Sequence, residues 1–415
     1  MFDLDKWSEI FQTLLRNKSR TFLTAFGIFW GIFMLVLLMG GSKGFQEMIA
    51  RNFDGFAQKS YVVWAQNTSL PYKGFQRGRS WSFENKDINR VRTRIEGIEV
   101  ATPMLQRWGL SAKYKEKKFN VVVKGVHSDY DQVENPKLMS GRFIQTSDVN
   151  DFRKVCVIGK EVATNIFPDD KNPVGKFIEL GGVYYQVVGI SSNDSNMSIG
   201  GPSRRSVLIP FTTYQRLYNI GTTFDLLAVT GKDGYTMTEL QPKIEALLKE
   251  LHSVHPDDNK AVMGINIEAM YQMTDSLFNA IRILVWMIGI GTLLSGAIGV
   301  SNIMMVVVKE RTTEIGIRRA IGAKPSDILS QILSESVVIT IMAGLTGIVF
   351  AVLILAGLEA GMAMSNPDSV PPNFQITFGM ALVAGAALSF LGITAGIAPA
   401  LRALAIKPIE AIRDE

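Results

Sequence analysis

The sequence has one cysteine, Cys156, and three histidines in 415 residues. A single cysteine excludes an internal disulfide framework. The sequence also lacks the patterns G-x-x-x-x-G-K-[ST], H-E-x-x-H and G-x-S-x-G, which build phosphate-binding loops, zinc proteases and serine hydrolases. We therefore predict that this chain carries no catalytic residue, binds no metal and holds no cofactor of its own.

The few residues that could still do chemistry have simpler explanations. His252 and His255 stand three apart and precede Asp257 and Asp258, so these four side chains could clasp a metal. A solvated helix end explains them better, because the chain has neither H-E-x-x-H nor C-x-x-C. Cys156 stands between two valines in a β-like run, which favours a buried structural thiol over a nucleophile.

Charge is sparse and evenly spread. Charged residues make up 20% of the chain against 47% hydrophobic residues, and the net charge is +5. No single basic run stands out, so the sequence does not indicate nucleic-acid binding. The balance is typical of a membrane protein with a large water-soluble part and a basic surface next to anionic lipid.

Four apolar runs are long enough to cross the hydrocarbon core of a membrane, which takes about 20 residues. They are residues 21–41, 281–308, 328–358 and 378–401. The sequence therefore predicts a membrane α-helical protein with four transmembrane helices. A large α+β extracytoplasmic domain is inserted between helices 1 and 2, over residues 42–280.

Basic residues in the short connecting segments set the orientation. Residues 309–327 hold five of them, whereas residues 359–377 hold no Lys or Arg. By the positive-inside rule, both termini, the 309–327 loop and the 402–415 tail are cytoplasmic. The 359–377 loop and residues 42–280 are then extracytoplasmic.

The first 20 residues are predicted to form an amphipathic helix on the cytoplasmic face of the membrane. Leu4, Trp7 and Phe11 follow helical spacing, and basic residues close the segment. The run 21–41 is longer than the core of a signal peptide, so we expect an uncleaved anchor. Apolar residues keep helical spacing after the first span and before the second, which predicts that both helices extend beyond the bilayer.

The segment between the first two spans alternates β-like and helical runs. Strands are predicted at 60–66, 119–126, 154–159, 183–190, 206–210 and 225–230. Helices are predicted at 85–95, 160–167, 211–218 and 238–251. A subdomain boundary is expected near residues 135–143.

Small residues recur at four-residue spacing in the spans. Gly27 and Gly31 do so in the first span, and Gly291, Ser295 and Gly299 in the second. Such rows let helix backbones approach closely in lipid. Packing within one bundle explains them, and the first-span pair is the one most expected to face a second copy.

Two polar residues of the spans are notable, Asn302 and Glu335. Pairing with Lys309 or Arg311, or a contact with Asn302 and neighbouring serines, explains Glu335 better than ion transport. An ion-driven transporter buries several acids or bases at the middle of the membrane. Since the chain also lacks a phosphate-binding loop, the energy for any transport is expected to enter through a cytoplasmic partner.

The 309–327 loop combines many charges with apolar residues. Glu314 and Arg318 form an acid-before-base pair four residues apart, which favours a short helix that Gly322 would end. Pro325 would begin the next helix. These residues leave two interpretations open: a helix that docks in a groove of a partner protein, or a tight hairpin on the lipid headgroups.

The stretch SNIMMVVVKERTTEIGIRRAIGAKPSDILSQILSES (301–336) resembles the second span and following loop of the MacB/FtsX-type ABC permeases. Residues 14–32 are similar to that family's entry to its first span. Residues 140–190 are similar to its periplasmic core domain, and residues 399–415 to its C-terminal tail.

The resemblance implies a permease of the inner (plasma) membrane with a periplasmic core domain and a subdomain inserted at about 137–205. It implies a homodimer, or a heterodimer with a second permease, and an ABC ATP-binding subunit that holds ATP and Mg²⁺. A periplasmic adaptor and an outer-membrane channel can join such assemblies. Because this chain has no ATPase pattern, we expect the ATPase on a separate subunit.

The resemblance also assigns a role to the loop. ATP-driven closure of the ATPases would move the extracytoplasmic domain through the long first and second helices, a mechanism called mechanotransmission. The residues that would contact the ATPase are Arg311, Glu314, Ile315, Gly316, Arg318, Arg319 and Gly322.

Two functions fit this machinery. The first is export of a drug, peptide or lipoprotein-type cargo, together with a periplasmic adaptor. The second is an FtsX-like regulator that activates a cell-wall hydrolase or senses peptides. The large two-part outer domain favours the exporter, and the missing catalytic patterns disfavour a membrane-anchored enzyme.

Overall fold

A computed structural model describes residues 18–53, 55–170, 172–192, 199–365 and 371–406. The amphipathic helix predicted at the N-terminus therefore lies almost wholly outside the described residues, as does most of the predicted 402–415 tail. The chain divides into two compact units. The helical unit comprises the described residues before Ile49 and after Ser276, and the α/β unit is Ile49–Ser276.

The described residues form ten α-helices and twelve β-strands. The helices are α1 (Lys18–Ala50), α2 (Asn85–Arg94), α3 (Thr146–Asn150), α4 (Lys160–Ile166), α5 (Phe211–Leu217), α6 (Met237–Leu251), α7 (Ile267–Glu310), α8 (Thr312–Ala320), α9 (Pro325–Ser365) and α10 (Phe378–Leu404). The strands are β1 (Ser60–Ala65), β2 (Phe83–Glu84), β3 (Ile98–Tyr114), β4 (Lys117–Val126), β5 (Lys137–Gly141), β6 (Val155–Gly159), β7 (Phe177–Leu180), β8 (Val183–Ser192), β9 (Ser206–Pro210), β10 (Thr223–Phe224), β11 (Leu226–Gly231) and β12 (Val262–Asn266).

Within the described residues, four helices are long and apolar enough to cross a membrane: α1, α7, α9 and α10. In sequence they flank the large α/β unit, which confirms the predicted fold class. At about 1.5 Å per residue, the 33 residues of α1 measure about 50 Å and the 44 residues of α7 about 66 Å. Both helices exceed a hydrocarbon core of about 30 Å.

The long helices pack through apolar side chains and small residues. Ile32 of α1, Val300 of α7 and Leu388 of α10 are buried in one shared core. Gly347 of α9 lies so close to α1 that an added Cβ would stand 2.8 Å from the carbonyl oxygen of Phe29. Small residues at such contacts allow close helix packing in lipid.

The α/β unit is built on a ten-stranded mixed sheet. Its order is β12-β1-β11-β3-β4-β9-β6-β8-β5, and β7 pairs with both β3 and β8. The pairs β4–β9 and β6–β8 are parallel, and the other pairs are antiparallel. Strands within 137–205 belong to this same sheet, and the inserted subdomain stays a prediction.

Both faces of the sheet are buried. On β1, Tyr61 and Val63 join one hydrophobic core, and Val62 between them joins the other. This alternation arises because successive strand residues point to opposite faces. Helices α2, α4, α5 and α6 contribute residues to the first core.

One cluster of the α/β unit joins the short segment after α1 to the start of α7. The ring centroids of Phe53 and Tyr271 are 4.8 Å apart. The Tyr271 hydroxyl donates to the carbonyl oxygen of Phe53 at 3.2 Å. Phe53 and Ile267 are buried in the second core. The two chain segments are therefore fixed to each other at this point.

Candidate coupling site in the loop between the second and third spans

Helix α8 is nine residues long and follows α7 after a single residue, Arg311. It ends at Ala320, and Gly322, two residues further on, has a φ of +108°. The backbone N–H of Ala323 donates to the carbonyl of Arg318 at 3.0 Å, and that of Gly322 donates to the carbonyl of Arg319 at 3.2 Å. These two bonds form a Schellman motif, in which the positive φ favours glycine.

Arg311 joins the start of α8 to α9. Its Nη1 donates to Oε1 of Glu335 at 3.0 Å, and Glu335 is almost fully buried. Its Nε lies 3.6 Å from Oε2 of Glu314. Of the partners that the sequence suggested for Glu335, the structure places Arg311 in contact with it. Asn302, another suggested partner, lies on an exposed side of α7. Loss of one partner of a buried ion pair is costly, because a charge is left buried.

A second arginine joins α8 to α9. Nη2 of Arg318 lies 2.9 Å from Oε1 of Glu314, the pair that the four-residue spacing predicts. Nη1 of Arg318 donates to Oε1 of Gln331 at 3.1 Å. Sequence reasoning missed Gln331, because no local pattern marks a contact between two different helices.

A third arginine joins α8 to the end of α10. Nη1 of Arg319 donates to the carbonyl oxygen of Leu404 at 2.8 Å, and also to that of Ile406. The last carbonyls of a helix lack partners within the helix and favour a cation nearby. Arg319 therefore caps α10, so that the short helix is connected to both α9 and α10.

The apolar residues of α8 and its end point to two different sides. Ile315 is 8% exposed and packs in the core of the helical unit, and Gly316 beside it is also buried. Ile317 is 45% exposed and Ile321 is 83% exposed. The helix turns the side chain of Ile315 inward, and its contact with a partner stays a prediction. The apolar surface that remains open belongs to Ile317 and Ile321.

The space enclosed by α7, α8 and α9 is small. A cavity of about 20 Å³ is lined by Arg311, Ile315, Gln331 and their neighbours. That volume accommodates about one water molecule. The loop is therefore suited to surface contact with another macromolecule, and its interior is not a ligand pocket.

The glycine pair of the first span packs within the chain. A Cβ added to Gly27 would lie 3.6 Å from the Cα of Gly296, and one added to Gly31 would lie 3.4 Å from the carbonyl carbon of Thr292. Both neighbours belong to α7. The structure places this pair at the contact between α1 and α7, and a contact with a second copy stays a prediction.

The small residues predicted on α7 lie on another side of that helix. A Cβ added to Gly291 or Gly299 would meet no atom within 4 Å. Ser295 between them is exposed. The spacing of small residues identifies one side of a helix but does not show which neighbour covers it.

The candidate residues of the α/β unit are used in contacts within the chain. Nε2 of His252 lies 2.6 Å from Oδ2 of Asp87. Asp258 accepts hydrogen bonds from the backbone N–H and the hydroxyl of Ser69 at 2.6 and 2.7 Å. Among the described residues, no group of three or more His, Cys, Asp or Glu is placed to hold a metal. Cys156 is fully buried, and burial raises the pKa of its thiol.

Two family models match separate parts of the sequence. The MacB-like periplasmic core domain matches residues 21–247. The FtsX-like permease C-terminal region matches residues 286–408, which include the coupling loop.

Individual relatives agree with these matches. The macrolide export ATP-binding/permease protein MacB of Bdellovibrio bacteriovorus is 28% identical over 98% of this chain and 61% of its own length. The probable syringafactin export ATP-binding/permease protein SyfD of Pseudomonas syringae pv. tomato is 28% identical over 96% of this chain and 57% of its own length. The chain thus spans about three fifths of the length of these curated relatives.

The chain is also similar to solved structures. Among them is the periplasmic region of MacB from Actinobacillus actinomycetemcomitans, with 22% identity and a TM-score of 0.44. The match covers 55% of this chain and 98% of that one.

Proposed function

Because the chain belongs to the family of ABC transporter permeases with a MacB-like periplasmic core domain and an FtsX-like permease region, we propose that it couples ATP hydrolysis on a partner to movement outside the cytoplasm. Membership confirms the resemblance found in residues 301–336. With four apolar helices, the chain is a multi-pass membrane protein. The proposed role is the permease subunit of an exporter of a drug, peptide or lipoprotein-type cargo.

The observation that carries this proposal is the attachment of α8. Three arginines connect the short helix to α9 and α10, through Glu335, Gln331 and the end of α10. The same helix leaves Ile317 and Ile321 exposed. A solvated connector needs neither feature, whereas a helix that receives force from a partner needs a contact surface and firm attachments.

We place the partner, an ABC ATP-binding subunit that binds ATP and Mg²⁺, against Ile317 and Ile321. When it moves α8, the arginine contacts would carry that movement to α9 and α10. Backbone continuity through Arg311 would carry it to α7, whose length of about 66 Å exceeds the thickness of the bilayer. This long helix is the proposed path of mechanotransmission.

The orientation proposed for this mechanism follows from charge. The 309–327 loop holds five Lys or Arg residues and lies in the cytoplasm, as do both termini. The α/β unit lies in the periplasm. We further propose that two permeases, identical or different, assemble with a periplasmic adaptor.

Substitution of the exposed isoleucines tests the proposal. Ile317→Asp combined with Ile321→Asp places charge on the open surface of α8 and leaves the three arginines in place. Loss of apolar contacts worth about 2 kcal/mol should weaken binding of the ATP-binding subunit about 30-fold. The measurements are co-purification of that subunit from solubilised membranes and cargo export that depends on its ATP-binding lysine.

The control is Leu138→Asp, which charges a similarly exposed apolar residue of the α/β unit. It should keep both the ATP-binding subunit and its ATP hydrolysis. Normal binding and export by the double isoleucine variant, at an unchanged amount in the membrane, would show that α8 is not the contact.

A further inference from the structure

The α/β unit contains a pocket that is separate from the coupling site. Its volume is about 460 Å³, within the range of about 300–1,000 Å³ that small-molecule sites occupy. Aromatic and aliphatic residues form most of its wall, among them Trp64, Trp81, Ile199, Leu226 and Ile265. Such a wall can hold the apolar body of a ligand.

Two residues of the wall present acceptor oxygens that bear on the ligand, Asp225 and Gln106. Among the described residues that line the pocket, Asp225 is the one ionisable residue. Its Oδ2 accepts the backbone N–H of Gln106 at 2.9 Å. The side-chain Oε1 of Gln106 is buried and accepts no hydrogen bond from the described residues. A buried acceptor without a donor destabilises the structure, so a ligand that donates a hydrogen bond there is favoured.

The position of Asp225 gives the pocket a negative charge at its rim. The side chain is exposed to solvent, yet the surrounding atoms desolvate the carboxyl group and raise its pKa. A partly desolvated carboxylate interacts more strongly with a cation than one in bulk water does. An anionic ligand would meet repulsion at the same place.

One aromatic wall is already fixed in place. Nε1 of Trp81 donates to the carbonyl oxygen of Gln66 at 2.8 Å. Its ring centroid lies 5.3 Å from that of Phe83 and 4.9 Å from that of His252. Because these contacts hold the ring before any ligand arrives, binding would not have to order it.

We propose that this pocket binds a small amphiphilic organic cation, whose apolar body lies against Trp64 and Trp81 and whose ammonium group donates to Asp225 and Gln106. The ammonium group provides the donor that Oε1 of Gln106 lacks, and its positive charge is opposite to that of the Asp225 carboxylate. Aromatic faces add attraction for a cation. This ligand site does not depend on the coupling role proposed for α8.

A set of probes with one apolar body and different head groups tests the charge preference. We would titrate the full chain in nanodiscs with 1-adamantylamine, 1-adamantanol and 1-adamantanecarboxylate, and subtract binding to empty nanodiscs. Calorimetry should show that the amine binds at least tenfold more tightly than the carboxylate, with the alcohol between them. Hydrogen exchange should show protection of residues 222–228 by the amine.

Variants tie this preference to the pocket. Asp225→Asn should reduce amine affinity about tenfold, and Asp257→Asn, which neutralises an exposed acid elsewhere in the unit, should leave it unchanged. Ile265→Trp fills the pocket from its rim while keeping Asp225, and should abolish binding even if Asp225→Asn folds poorly. Equal affinity for amine and alcohol, or binding that survives Ile265→Trp in a chain with a normal melting temperature, would overturn the proposal.

Discussion

At the scale of single residues, Asp87 shows how one buried carboxylate connects two distant helices. It is fully buried, accepts the backbone N–H of Glu84 at 2.7 Å and lies 2.6 Å from Nε2 of His252. Burial alone would raise the pKa of Asp87. The hydrogen bonds to His252 and to the backbone of Glu84 outweigh burial and hold that pKa below its usual value. The ionised form therefore stabilises the junction of α2 with the end of α6.

This arrangement predicts a dependence of stability on pH. A carboxyl group whose pKa is lower in the folded state stabilises the fold above about pH 4, its unfolded value. That stabilisation is lost as the pH falls through the folded pKa. Asp87→Asn should lower the free energy of unfolding by roughly 1–3 kcal/mol at pH 7. The difference in unfolding free energy between Asp87→Asn and the unchanged chain should shrink below about pH 4.

Thermal melting followed by tryptophan fluorescence between pH 7 and pH 3 measures this effect, because the ring of Trp81 lies against His252. Asp233→Asn is the matched control, since Asp233 is fully exposed and pairs only at the surface. If the difference in melting temperature between the unchanged chain and Asp87→Asn stayed constant down to pH 3, ionisation of Asp87 would not contribute to the pH dependence of stability.

At the scale of elements, local patterns predicted the helices whose formation depends on residues close together in the sequence. The long apolar runs indicated the four spans, and the spacing of Glu314 and Arg318 indicated α8. Strand β3 was missed, although it spans 17 residues. Its alternation is broken by Pro103, by Gly109 with a φ of +79°, and by a register shift between Arg107 and Leu110. Pairing with neighbouring strands, which no local pattern records, makes it a strand.

The candidate site shows the same limit. The charged side chains of the loop were identified from sequence, but their partners on α9 and α10 were not, with the exception of Glu335. Arg319 reaches a carbonyl 85 residues away. Whether Ile315 or Ile317 faces inward depends on how α8 is rotated against the long helices, and only the packed structure determines that rotation.

The end of α8 gives a prediction for this element. In Gly322→Ala, the added Cβ meets no atom within 4 Å, so the whole effect comes from the φ of +108°. The left-handed conformation should cost about 1–2 kcal/mol and shift the register of the loop. We expect a lower melting temperature and reduced coupling of ATP hydrolysis to export.

Gly299→Ala is the control for that experiment. Its Cβ also enters open space, but Gly299 lies inside helix α7 and its φ is not positive. Alanine there should be neutral, or stabilise by up to about 1 kcal/mol, because it favours the helix. Equal effects of the two substitutions would mean that the backbone conformation at Gly322 has no special importance.

At the scale of the whole molecule, the proposed orientation can be read with thiol reagents. Cys156 is buried and burial raises the pKa of its thiol, so the unchanged chain should react slowly. Thr313→Cys places a thiol on the exposed side of α8, and Gln375→Cys places one in the segment before α10. Membrane-impermeant maleimide should label Cys at 313 only from the cytoplasmic side and Cys at 375 only from the opposite side.

Sealed inside-out and right-side-out vesicles make this comparison, with the unchanged chain as the blank. Labelling of both positions from one side would contradict the predicted topology of four crossings. Labelling of each position from the opposite side would still agree with four crossings, but it would place the 309–327 loop outside the cytoplasm. The loop could then not contact a cytoplasmic ATPase.

The cluster of Phe53, Tyr271 and Ile267 restricts how α1 and α7 can move. The tilted contact between the Phe53 and Tyr271 rings and the hydrogen bond from the Tyr271 hydroxyl tie the residues after α1 to the start of α7. Because α1 and α7 are fixed to each other at this cluster, they cannot slide past each other along their axes. Gly27 and Gly31 also hold α1 against α7 far from this cluster. A movement of α7 of the kind proposed above would therefore carry α1 with it, and the two helices would move as one body.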